Sequence, residues 1–284
     1  MPNVLELIRL STDFLSKKGI ESPRLNAELL LADILKCKRL DLYLAFEKPL
    51  KTNEVDLYRE YILRRSKFEP LQYILGKVEF YGIEIKVNKS VLIPRQETEI
   101  LIDAVLNSFD KNTPVNILDV GTGSGNIAAA LAANLPNATV YAIDISMDAI
   151  KIAEENFESL MLNGRVKIIN ADINDLENEL NHSFDLIVSN PPYVALDEYN
   201  NLQKEIINYE PKIAVTDMGD GFKFYNQITL RGKKLLKTKG KIFFETGMGQ
   251  FEKVTEILVQ NGFQNVKTVK DYLGINRVII GELI

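Results

Sequence analysis

Ile117-Leu118-Asp119-Val120-Gly121-Thr122-Gly123-Ser124-Gly125-Asn126 is the stretch that decides how this chain is read. Its opening residues carry a buried-strand signal, and the run passes straight into glycines at every second position before a helical stretch, Ile127 to Ala133, begins. A backbone without β-carbons turns tightly and approaches a ligand closely, and the helix start offers free N–H donors. Asp144 closes the next strand signal, Thr139 to Asp144, about 20 residues on, where a carboxylate accepts both hydroxyls of a ribose. Together the two features imply a nucleoside-bearing cofactor. The dinucleotide fingerprint asks for a small third residue where this chain has Asn126, so that match is partial. Asp119 would repel a pyrophosphate but suits an ammonium, and the amino-acid end of S-adenosyl-L-methionine carries one. A glycine turn that merely joins strand to helix is the plain alternative, and Asp144 argues against it.

Working outward, strand signals at Val115 to Val120, Thr139 to Asp144, Val166 to Asn170, Phe184 to Ser189 and Lys241 to Glu245 alternate with helical stretches at Ile127 to Ala133, Met147 to Leu162 and Tyr225 to Lys237. That alternation predicts an α/β fold with a mostly parallel sheet covered by helices. Asn265 to Lys270 and Arg277 to Glu282 flank a turn at Gly274 and predict an antiparallel pair at the sheet edge. The front of the chain differs. Helical spacing covers Val4 to Lys18, with Gly19 as its stop; Ser22 then Pro23 reads as an N-cap opening a second helix through Leu35; further signals lie at Leu40 to Phe46 and Asn53 to Ser66. Val78, Phe80, Ile83, Ile85 and Val87 then alternate around Tyr81-Gly82 as in a hairpin. The expected division is a helical domain over 1–70, a β-hairpin linker over 71–96 and an α/β domain over 97–284.

The second motif, Asn190-Pro191-Pro192-Tyr193, follows the strand Phe184 to Ser189 and should stand at the sheet's carboxyl edge beside the glycine loop. Each proline fixes its own φ, removes an N–H and restrains the residue before it, so the segment is stiff and rich in acceptors. The Asn190 side-chain oxygen and the Pro191 carbonyl suit the two hydrogens of a planar NH₂ group, with the Tyr193 ring covering its face. Such a pocket selects amides and exocyclic amines. An amide nitrogen is a poor nucleophile because its lone pair is delocalised, so orientation beside an electrophilic methyl is what the site must supply, a contribution of up to roughly 7 to 11 kcal/mol. His182, the only histidine, falls in a polar turn at the other end of the strand and reads as a solvated loop residue. No histidine pair or second cysteine offers metal-ligand spacing, so metal chemistry is not expected.

Composition sets outer bounds. With 284 residues, 46% of them apolar, the chain is globular rather than disordered. A net charge of −5 supplies no global positive field for a phosphate backbone, which disfavours nucleic acid as a partner. The single Cys37 and the lack of a leader-like start point to a reducing, cytoplasmic setting, and no apolar run approaches the roughly 18 residues a membrane span needs.

With these motifs the chain resembles the release-factor glutamine N5-methyltransferases, also called the HemK or PrmC family. The likeness also rests on Glu69 to Gly76, Leu92 to Glu99, Tyr209-Glu210-Pro211, Asp220-Gly221, Glu245 to Gln250 and Asp271 to Arg277. It implies a class I, Rossmann-like methyltransferase domain with a seven-stranded sheet whose terminal strand is antiparallel. It further implies methyl transfer from S-adenosyl-L-methionine, leaving S-adenosylhomocysteine, to the glutamine of the Gly-Gly-Gln loop in class 1 peptide-chain release factors, which the helical front domain grips. By the same resemblance Gly121, Thr122, Gly123, Ser124 and Gly125 cradle the methionine part, Asp144 takes the ribose, Asp172 and Ile173 flank the adenine, and Asn190 to Tyr193 hold the glutamine. Asn-Pro-Pro-Tyr alone is shared with DNA and RNA amino-methyltransferases, so a nucleic-acid substrate stays open as the second reading and a non-catalytic nucleotide-binding module as the third. One departure is visible: the family's glycine pair before Asp220 is replaced by Asp217-Met218-Gly219. Arg95 could line the cleft or anchor the ribbon, Glu245 could face the cleft or cap the following turn, and Arg231, Lys233, Lys234, Lys237 and Lys239 read as a solvated helix face.

Overall fold

The computed structural model describes residues 2–176, 180 and 183–284. His182 lies outside the described residues. The chain forms two compact units, Met1–Lys77 with Gln203–Tyr209, and Val78–Leu202 with Glu210–Ile284. These two units cut across the expected three-part division. Residues 71–75 are a helix whose Leu71, Ile74 and Leu75 join the apolar core of the first unit, and the hairpin belongs to the second.

The first unit holds α1 (Val4–Lys17), α2 (Pro23–Ile34), α3 (Asp41–Leu44), α4 (Thr52–Arg65), α5 (Leu71–Leu75) and the short helix Lys204–Tyr209. Asn3 caps α1 by accepting the Glu6 amide at 2.9 Å. Ser22 does not cap α2 as expected. It is left-handed (φ 48°) and its hydroxyl makes no capping bond, while its carbonyl accepts from both the amide and the side chain of Asn26. Pro23 disfavours the helical region for the residue before it and has no N–H to cap. The core gathers Val4, Ile8, Leu30, Leu31, Tyr58 and Ile62. Beside it Arg65, 4% exposed, donates to Asn26 Oδ1 at 2.6 Å, to the Glu69 carbonyl at 2.9 Å and to Glu205 Oε1 at 2.5 Å. Every face of that guanidinium fork has a partner, as a buried cation requires.

The second unit begins with a hairpin, β1 (Lys77–Phe80) and β2 (Ile83–Lys86), turned by Tyr81 and Gly82, both at positive φ as a primed turn demands. Then follow α6 (Glu97–Leu106), β3 (Asn116–Val120), α7 (Asn126–Asn134), β4 (Thr139–Asp144), α8 (Met147–Ser159), β5 (Val166–Asn170), β6 (Phe184–Ser189) and α9 (Leu196–Tyr199); next along the chain comes α10, the Lys204–Tyr209 helix of the first unit. The chain closes with α11 (Lys223–Leu235), β7 (Leu236–Glu245), α12 (Phe251–Gln260), β8 (Phe263–Lys270) and β9 (Asn276–Leu283). The seven strands lie in the order β5-β4-β3-β6-β7-β9-β8, parallel through β7, with β9 antiparallel to both its neighbours. Tyr225, Ile228, Val254, Leu258, Phe184 and Phe244 knit α11 and α12 to the strands, with the Tyr225 and Phe244 rings edge to face at 5.2 Å. The basic cluster is not one solvated face. Lys237 and Lys239 lie in β7, Lys237 pairs with Asp185 at 2.8 Å, and Arg231 donates to the Leu176 carbonyl. Among the described residues no helix is long and apolar enough to cross a membrane.

Candidate active site

Strand order reverses between β3 and β6. Chain from β3 proceeds toward β4 on one side and chain from β6 toward β7 on the other, which opens a crevice at the carboxyl ends of these two neighbours. The register pairs Asp119 with Val188, and the Ser189 hydroxyl donates to the Val120 carbonyl at 2.7 Å. The glycine loop and the proline loop therefore leave the sheet side by side.

Gly121, Gly123 and Gly125 all have positive φ, at 73°, 56° and 78°. The Gly121 and Thr122 amides both donate to the Ile143 carbonyl at 2.9 Å, which bends the loop over β4. A β-carbon added at Gly121 would meet nothing within 4 Å, and one at Gly123 only the Gly121 carbonyl oxygen at 4.0 Å, so this side of the loop is open for a ligand. Gly125 is different: a β-carbon there would lie 2.6 Å from the Phe157 ring, because helices α7 and α8 meet at this point. Asn156, fully buried in α8, donates to the Ser124 carbonyl at 2.8 Å and exchanges hydrogen bonds with the Lys86 backbone, clamping the loop to β2.

Three carboxyls border the crevice. Asp119 is wholly buried, and burial pushes it up to about 7 against the opposing Thr122 hydroxyl, which donates to its Oδ2 at 2.6 Å. Its Oδ1 forms no hydrogen bond of normal geometry among the described residues. Asp144 accepts from the Gly123 amide at 2.9 Å and the Ser146 amide at 2.8 Å; burial raises it and these amides oppose the rise. Glu245, 2% exposed at the end of β7, is pushed up to about 7 by burial, opposed by the nearby polar side chains of Thr98 and Asn190 and by the Arg277 charge, and its Oε2 has no hydrogen bond of normal geometry among the described residues. Asp172 caps a short 3₁₀ turn through Asn174, and Ile173 is 6% exposed within the core cluster.

The proline loop is supported from behind. Gln250 donates to the Tyr193 carbonyl at 2.8 Å and accepts the Gly247 amide at 3.0 Å. A β-carbon at Gly247 would press on the Tyr193 ring at 3.1 Å, and one at Gly221 would lie 2.4 Å from the Tyr193 carbonyl oxygen. Pro191 is buried, and Asn190, Pro192 and Tyr193 are half-buried. Asp217 makes the departure near Asp220 intelligible. Its carboxylate accepts the amides of Gly219, Gly221 and Lys223, fixing the turn that carries Gly221. Of the two roles open for Arg95, the structure displays the anchor: it pairs with the buried Glu210, whose other oxygen accepts the Ile93 amide. Glu245 does not cap the next turn, because Gln250 performs that task.

Sequence reading assigned no role to Thr98, Asn156 or Gln250. Thr98 and Gln250 fall inside runs already singled out, and a polar Asn156 on the apolar face of a helix was a legible signal.

Gly125→Ala should destabilise the fold by about 1–3 kcal/mol, since the new methyl collides with Phe157 and the φ is left-handed. Gly121→Ala carries only the backbone strain and should cost about 1 kcal/mol. Urea unfolding of the two variants checks the order.

Two family descriptions match: the PrmC N-terminal domain over residues 6–76 and the methyltransferase small domain over residues 96–238. A release factor glutamine methyltransferase of Fusobacterium nucleatum is 41% identical over 281 residues, covering 98% of this chain and 78% of that protein. Another, from Clostridium acetobutylicum, is 39% identical and covers 90% of each. The solved hMettl16 catalytic domain shares the fold, with a TM-score of 0.57 at 17% identity over 84% of this chain and 94% of that one. Identity of this order across both units establishes that the chain belongs to the release factor glutamine methyltransferase family.

Proposed function

We infer that this chain transfers a methyl group from S-adenosyl-L-methionine to the side-chain nitrogen (N5) of the glutamine in the Gly-Gly-Gln loop of class 1 peptide-chain release factors, leaving S-adenosylhomocysteine. The observation that carries this reading is the juxtaposition of the glycine loop and Asn190-Pro191-Pro192-Tyr193 at the ends of the paired strands β3 and β6. The residues fit the cofactor: Gly121 and Gly123 leave open space, Asp119 offers an anionic partner for an ammonium, and Asp144 offers acceptors for ribose hydroxyls. Asp172 and Ile173 fall to the adenine end. When bound, the cofactor supplies an electrophilic methyl on a sulfonium.

The protein's own work is positional. Asn190 Oδ1 and the Pro191 carbonyl accept the two hydrogens of the substrate carboxamide, and the Tyr193 ring covers its face. Holding the nitrogen in one orientation replaces the strong base that a free amide would need, and its proton leaves to water once the new N–C bond has formed. Burial holds the Tyr193 hydroxyl far above its ordinary value, so the ring stays neutral beside a cationic donor. The helical first unit is the part proposed to grip the release factor. A protein substrate of this class places the reaction in the cytoplasm.

Incubation with methyl-labelled S-adenosyl-L-methionine and a class 1 release factor should label the factor, and changing its glutamine to alanine should abolish incorporation. Persistent label in that control would refute the reading. Asn190→Ala should lower turnover by about 100-fold, because orientation is lost, while S-adenosylhomocysteine affinity measured by calorimetry changes by less than about threefold. Affinity for S-adenosylhomocysteine should also rise as pH increases through about 7, since Asp119 must be ionised to pair with the ammonium. Asp119→Asn should flatten that rise.

A further inference from the structure

We propose that Glu245, acting through Thr98, is the positioning residue that fixes which end of the Asn190 carboxamide faces the crevice. The inference rests on the reading of Asn190 as an acceptor for the substrate amide. An asparagine side chain has two ends of nearly equal shape, one accepting and one donating, so only its hydrogen-bond partners decide which end points where.

Those partners are built into the fold. Ser189 pairs with Phe244 in the β6–β7 register, so the next residues, Asn190 and Glu245, leave the two strands together. Thr98, 2% exposed in the first turn of α6, accepts a hydrogen bond from Asn190 Nδ2 at 3.2 Å. Thr98 and Asn190 both stand toward the Glu245 carboxyl and hold it below where burial alone would put it, and its buried Oε2 has no hydrogen bond of normal geometry among the described residues. An ionised carboxylate only accepts. The Thr98 hydroxyl hydrogen is therefore drawn to Glu245, the Thr98 lone pairs are left for Asn190, and Asn190 must meet them with its NH₂ group. Its Oδ1 is the end that remains for the substrate.

A neutral carboxamide in place of Glu245 permits the opposite polarity. Its NH₂ can donate to Thr98, Thr98 can donate to Asn190 Oδ1, and the Asn190 NH₂ then faces the crevice, a donor where an acceptor is needed. The charged and titratable groups around Glu245 are Glu97 on α6, Tyr193 after β6, Tyr225 on α11, and Arg277 on β9. Arg277 favours the ionised carboxylate and Glu97 opposes it. With burial pushing Glu245 up to about 7, the proportion of chains with the productive polarity grows as pH rises through that value.

The test uses the full chain with Glu245→Gln, Thr98→Val and Thr98→Ser. At saturating S-adenosyl-L-methionine, Glu245→Gln and Thr98→Val should each lower kcat at least about 10-fold, with KM for the release factor and S-adenosylhomocysteine affinity within about threefold of wild type. Thr98→Ser, which keeps the hydroxyl, should retain most of the activity. The wild-type kcat should rise between about pH 6 and 8, and that rise should vanish in Glu245→Gln. A second readout needs no substrate. The side-chain amide resonances of Asn190 in a ¹⁵N-labelled sample should move with pH around 7 in the wild type and stay fixed in Glu245→Gln. A chain that methylates no release factor would defeat the functional reading, yet the Asn190 resonances would still decide the relay. Wild-type kcat in Thr98→Val or in folded Glu245→Gln, or Asn190 resonances indifferent to Glu245, would overturn it.

Discussion

The parallel pairing of β3 with β6 is the constraint from which the rest follows. Strands in this arrangement lie about 4.8 Å apart, so two loops leaving paired residues at the same edge are neighbours by construction. Asp119 opposite Val188 sets that edge, and the Ser189 hydroxyl on the Val120 carbonyl locks the last step before the loops diverge. One loop is then made open by glycine and the other rigid by proline. These opposite solutions serve the same end, because a ligand that must be approached closely and a group that must not swing are held against each other by one backbone ladder.

The crevice is also where the protein keeps costly charge. Asp119 and Glu245 are both essentially inaccessible, and each is held near 7 mainly because an ionised carboxylate loses its hydration there. A fold under selection for stability alone would replace them with apolar groups of similar volume. Their placement at the ends of β3 and β7, one below each of the two loops, accords with perturbed carboxyls concentrating at sites of chemistry. By contrast the carboxylates with complete hydrogen-bond shells, Glu28 with Arg24, Arg39 and Tyr43, and Asp217 with three backbone amides, hold backbone and side chains in place.

Much of this was legible in the residue order. The glycine and proline motifs located both loops, and the alternation of strand and helix signals gave the sheet with its antiparallel end. Periodicity could not show that β9 inserts between β7 and β8, because which strand lies at an edge depends on pairing partners distant in sequence. Nor could it find the supports. Thr98, Asn156 and Gln250 act through hydrogen bonds to groups as far as 92, 70 and 57 residues away, and no local pattern records such a distance. Ser22 misled for a different reason. Its residue type suits a cap, but its conformation is left-handed before Pro23.

The passage of residues 203–209 into the helical unit, and the return at Glu210, means the polypeptide passes between the two units three times. Arg65 and the Lys67 carbonyl are completed by Glu205 and Tyr209 from that excursion. The helical part is accordingly not a detachable module at the front of the chain. Cutting at Lys77 would strand a buried guanidinium and deprive the bundle of a helix encoded more than a hundred residues downstream. Any domain exchange that keeps the helical unit whole must carry both segments together, the front of the chain and the excursion after the proline motif.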